Sequence, residues 1–103
     1  MEQPEEIIEG YVMDLACVRR YPRAQLLERA RAHTRDCVLM GHCVESGYAL
    51  IDEDGELAVL DTHATPQVVQ AVASGTLESG IRLRAMREKR EGELCTTSVE
   101  QIP

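Results

Sequence analysis

Apolar and polar positions alternate with a period of two over three parts of the chain, and with a helical period over two others. In "EIIEGYVMDLAC" (residues 6–17), Ile8, Gly10, Val12 and Asp14 fall on one side of an extended chain, with Ile7, Tyr11, Met13 and Leu15 on the other. The pattern predicts a strand, bent near Gly10. "YALI" and "LAVL" flank "DEDGE", whose Asp54-Gly55 is a hairpin turn signal. A second hairpin is expected over 81–102, turning at Glu91-Gly92, with Ile81, Leu83 and Ala85 alternating with arginines.

Pro22 suits a first helical turn, and Leu26, Ala30 and His33 or Thr34 then share a stripe, predicting an exposed helix over 22–33. "THATPQVVQAVASG" predicts another, capped by Thr65, with Pro66 first and Gly75 as its stop. Between them, "CVLMGHCVESG" reads as a second short helical segment or a knotted loop ending at Gly47. About five strands with two helices predict an α+β domain, an OB-like β-barrel; an open antiparallel sheet with helices on one face is the alternative. With 103 residues the chain has room for a single domain over 1–103, of which 1–6 is expected to be a flexible N-terminal tail.

Composition narrows the core and the partners. There is no Phe and no Trp, so the core must come from Leu, Ile, Val, Ala and Met. A net charge of −7 and only three tyrosines argue against nucleic acid, although arginines crowd residues 19–35 and 82–90. The Arg-rich helix is the surface through which a protein partner is expected to bind. The start "MEQPEEIIEG" lacks the basic and apolar regions of an export signal, and no apolar run is long enough to span a bilayer. A cytoplasmic, membrane-free protein is expected; export with the signal removed is the alternative. Phosphate-cradling Gly-rich loops, GxSxG, HExxH and calcium loops are absent, and no enzyme is predicted.

The chemistry-bearing residues concentrate in "HTRDCVLMGHCVESG" (33–47). If the helix runs on through residue 37, His33 and Cys37 lie at i and i+4 on one face. Cys43 could swing back across a tight loop, and Cys17 ends the first strand. Three thiolates and an imidazole suit Zn(II) or Cu(I). His42 could replace His33, sit behind the ligands or face solvent. The competing readings are packed thiols, and a redox or nucleophilic pair with Cys37 activated by Arg35. Asp14 either accepts from a ligating imidazole or satisfies backbone N–H groups at the strand end. His63 is expected in a loop and Cys95 as a buried thiol.

"EGYVMDLAC", "HTRDC" and "CVESGYALIDEDGELAVLD" together resemble a group of small bacterial domains with the pattern GxVxDxxC…H…C…CxxSGY. The resemblance covers residues 9 to 102, and its most specific elements are Gly10, Asp14, Cys17, His33, Cys37, Cys43, Ser46 and Gly47. It implies an OB-like barrel of unassigned function, often exported, with Cys17, His33, Cys37 and Cys43 as ligands to zinc or copper(I). This chain differs in lacking an export signal, in having His42, and in its long Arg-rich gap between Cys17 and His33.

Overall fold

The computed structural model describes residues 5–103, so most of the tail expected over 1–6 lies outside the described residues. Glu5 and Glu6 already belong to strand β1 (Glu5–Asp14). Four short helices follow: α1 (Leu15–Val18), α2 (Leu26–Ala32, entered through a 3₁₀ turn at Arg23–Gln25), α3 (Arg35–Val38) and α4 (Gly41–Ser46). The hairpin β2 (Tyr48–Ile51) and β3 (Leu57–Val59) leads into α5 (Ala64–Ala73), and the hairpin β4 (Arg82–Arg90) and β5 (Glu93–Ile102) completes the chain.

The five strands form one antiparallel sheet in the order β3-β2-β1-β4-β5. Both predicted hairpins form, with Gly55 and the Glu91-Gly92 pair supplying the positive φ their turns require. The bend expected at Gly10 is a close approach: a Cβ there would lie 2.6 Å from the Ile51 carbonyl oxygen. The sheet is open, with no backbone ladder joining β3 to β5 among the described residues. Side chains bridge its two edges instead. Asp61, just beyond β3, accepts from both the N–H and the hydroxyl of Thr96 in β5, and Arg87 donates to the Val59 carbonyl.

Helices cover both faces of this sheet, not one. Val12 and Leu50 pack with Val68 and Val72 of α5, whereas their neighbours Met13 and Ile51 pack with Leu26 and Ala30 of α2. Successive strand residues point to opposite faces, so β2 and the end of β1 from Val12 to Asp14 are buried on both sides, whereas Ile7 and Glu9 earlier in β1 are exposed. The two helices expected correspond to α2 and α5. Helix α5 starts at Ala64 with no side-chain cap, which places Thr65 and Pro66 inside its first turn.

The helix predicted over 22–33 does not run on through Cys37. His33 is extended, and the Thr34 hydroxyl accepts from the Cys37 N–H to start α3. The i, i+4 relation of His33 and Cys37 is therefore lost. The break is pinned from outside, by Gly80 N–H donating to the His33 carbonyl and Arg35 N–H donating to the Glu78 carbonyl.

The opposed charge runs find each other. Arg23 and Arg31 pair with Glu56 and Glu53 of the acidic turn, while Arg35 donates to the Val72 and Ala73 carbonyls at the end of α5. No described helix is long and apolar enough to cross a membrane.

Candidate metal centre

Asp14 ends β1 and organises everything that follows. It caps α1, with Oδ2 accepting from the Cys17 N–H at 3.0 Å, while Oδ1 lies 2.7 Å from Nε2 of His33. One carboxylate oxygen thus satisfies a backbone N–H at the strand end, as one reading of the sequence expects, and the other meets the His33 imidazole. The side chain is fully buried, so each contact acts without competition from water.

Donor atoms of Asp14, Cys17 and His33 lie within 4.8 Å of one another, a spacing one metal ion could span. They come from the end of β1, from α1 and from the residue after α2. Cys37 and Cys43 fall outside this mutually close trio. Cys43 is nonetheless a neighbour, since Ser46 links its carbonyl to the Ala16 N–H beside Cys17, and Cys37 shares a cavity wall with His33. His42 is exposed on α4, its Nε2 3.6 Å from the Cys43 sulfur. His63 is exposed at the start of α5, and Cys95 is half-buried on β5 and not fully enclosed as expected.

The neighbouring segments are tied together locally. Ser46 Oγ accepts from the Ala16 N–H and donates to the Cys43 carbonyl, and the Leu15 N–H donates to Gly47 O, which fastens α1 to α4. The buried Tyr48 hydroxyl donates to Val38 O at 2.6 Å and holds the end of α3. Gly47 takes φ 87°, which ends α4 as expected. These supports were missed in sequence as site residues, although Ser46 and Gly47 stood in the resembling pattern.

The electrostatics favour a cation here. Burial pushes the Asp14 carboxyl up, but His33, the Cys17 N–H and the Cys43 thiol together outweigh it and hold the group at about 2. Burial, with the Asp14 charge added, pushes Cys17 up to about 12; burial and Asp14 push Cys43 up to about 11. Both therefore remain thiols at neutral pH unless a cation enters. A nucleophilic or redox-sensing cysteine needs the opposite shift. Arg35, the neighbour expected to activate Cys37, is engaged with the carbonyls of α5. All four cysteines are unpaired.

No family model, curated protein or solved structure matches the chain.

Proposed function

We propose that this is a metal-binding domain whose ion, zinc first and copper(I) as the alternative, is held by Cys17, His33, Cys37 and Cys43. The observation that carries the reading is the meeting of Asp14, Cys17 and His33 donors within 4.8 Å, from segments far apart in the chain. The placement of Cys37 in the same cavity wall as His33, and the Ser46 link from the Cys43 carbonyl to the Ala16 N–H beside Cys17, support completing the set with sulfur. Three thiolates with one imidazole form a tetrahedral set that suits zinc, and their softness equally suits copper(I).

In this reading Asp14 is the orienting partner. Its carboxylate engages Nε2, which leaves Nδ1 as the nitrogen for the ion. A set of four protein ligands has no open position for substrate, so the domain binds and does not catalyse. The free thiols suit a reducing compartment such as the cytoplasm. The bridged sheet edges support an OB-like, nearly closed barrel, in line with the resemblance to the small bacterial domains carrying the same Cys and His pattern. Nucleic acid is no part of the reading: Tyr48 is buried, Tyr11 donates to Glu53, and Tyr21 lies under Arg29.

The test is elemental analysis of protein purified without added metal, followed by Co(II) titration of the wild type and of Cys17→Ser, His33→Ala, Cys37→Ser and Cys43→Ser. Stoichiometric zinc that survives dialysis, and loss of the thiolate charge-transfer band in each variant, are expected. Copper(I) retained in place of zinc moves the role from structural staple to cargo. Unchanged binding in both Cys37→Ser and Cys43→Ser reduces the site to Asp14, Cys17 and His33. Failure of the wild type to hold any ion removes the reading.

A further inference from the structure

The cluster around Asp14 is enclosed on most sides but not on all. Asp14 has no exposed surface and Cys43 is only 2% exposed. On the other side a cavity of about 190 Å³ opens among Met13, Tyr21, Arg29 and Ala32, with His33 and Cys37 in its wall. Two proposed ligands, His33 and Cys37, thus face an opening, whereas Cys43 is closed off and Cys17 is half-buried outside the cavity wall.

The opening has a charge. Arg29 and Ala32 are exposed and form its outer rim. Arg29 has no carboxylate partner among the described residues; its guanidinium sits 4.5 Å from the centre of the Tyr21 ring, which holds it beside the opening. Arg23 and Arg31, its neighbours on the same segment, are paired with acidic side chains. In a chain of net charge −7, the way in to the metal centre is marked by an unneutralised cation.

We propose that this cavity is the route by which the ion is exchanged, and that its exchange partner is a small anionic chelator, a polycarboxylate or thiolate carrier, attracted by Arg29. The proposal rests on the metal-binding reading above. The exchange is a ligand substitution with no redox step. A carrier oxygen or sulfur would bond to the ion as Cys37 or His33 lets go, and further carrier donors would then displace the remaining protein ligands one by one, each freed thiolate or imidazole being protonated in its turn. The protons come from solvent, and the ion leaves with the carrier. A fixed positive charge at a cleft mouth raises the local concentration of anions and speeds their encounter.

The test follows transfer from the Co(II)-loaded full chain to EDTA, and in parallel to a neutral pyridyl chelator, in wild type, Arg29→Glu, Arg29→Lys and Ala32→Trp. Neither Arg29 nor Ala32 supplies a donor, so competition titration in ~1 M salt, where the charge at position 29 is screened, should give the same equilibrium affinity in all four proteins. Transfer to EDTA should depend on EDTA concentration. It should slow about tenfold in Arg29→Glu at low ionic strength, with the difference fading near ~1 M salt, where charges are screened beyond about 3 Å. Arg29→Lys should retain most of the wild-type rate. Ala32→Trp should slow both chelators by obstructing the mouth. Wild-type rates in both Arg29→Glu and Ala32→Trp, or a rate independent of chelator concentration, overturn the route while leaving the site intact. A wild type that binds no Co(II) instead removes the underlying site.

Discussion

At the scale of single residues, Asp14 separates two roles that a substitution can pull apart. As the cap of α1 it needs only an acceptor for the Cys17 N–H, which an amide oxygen also provides. As the partner of His33 it needs a carboxylate. Asp14→Asn should therefore keep most of the metal-free stability but weaken metal affinity about 10–100-fold, read by competition titration. Asp14→Ala should do the same to affinity and also cost about 1–2 kcal/mol in urea unfolding, because the helix start loses its cap. Equal stability of the two variants would deny the capping role. The importance of Asp14 was legible from its spacing before Cys17. The separation of His33 from Cys37 was also signalled: His-Thr-Arg-Asp places a capping residue where a continuous helix would have none, with an acid in the following turn. The helical stripe spacing carries no sign of that stop, so spacing alone allows His33 and Cys37 a shared face that the cap denies them.

Among the elements, the hairpins were legible because Gly at a positive-φ turn leaves few alternatives. Whether the sheet closes was not, because that depends on side chains that reach across its edges. Asp61 makes this link to Thr96, which is only 5% exposed. Burial pushes the Asp61 carboxyl up, and the Thr96 hydroxyl and N–H more than offset it, so the group lies below its ordinary value. A carboxyl depressed in the folded state stabilises the fold above the unfolded value near ~3.9, and that contribution is lost as pH falls through the lower folded value. Asp61→Ala should cost about 1–3 kcal/mol at neutral pH, because Thr96 keeps a buried donor without an acceptor. Its deficit against wild type should shrink below about pH 4, in denaturant melts taken across pH. A deficit that stays constant through that range would deny the link its charge. Gly10→Ala tests the other constraint on the sheet. The added methyl meets the backbone of Ile51, which cannot rotate away as a side chain would, so a loss of about 1–3 kcal/mol is expected in the same melts.

For the whole molecule, the sheet and the metal centre differ in what holds them. Strands β1, β4 and β5 run 9 or 10 residues each, form long ladders broken by one bulge between Met86 and Arg87, and carry the Glu9–Arg84–Glu100 charge row. Helices α1, α3 and α4 have only 4, 4 and 6 residues, far below the length at which a helix persists alone. They rest on caps, on Ser46 and Tyr48, and on the cluster around Asp14. An ion joining Cys17, His33, Cys37 and Cys43 would cross-link all of these segments at one point, and its binding energy would then count as folding energy for that region alone. Removing it with a chelator should accelerate amide exchange over residues 15–47 well before it affects β1, β4 and β5, and should lower the unfolding temperature without erasing the sheet signal in circular dichroism. Readdition of zinc should restore protection in the same segment. Uniform exchange across the chain after chelation would mean that sheet and helices unfold together. Unchanged exchange over 15–47 would mean that the short helices stand without the ion, and a bound ion would then be cargo and not a staple.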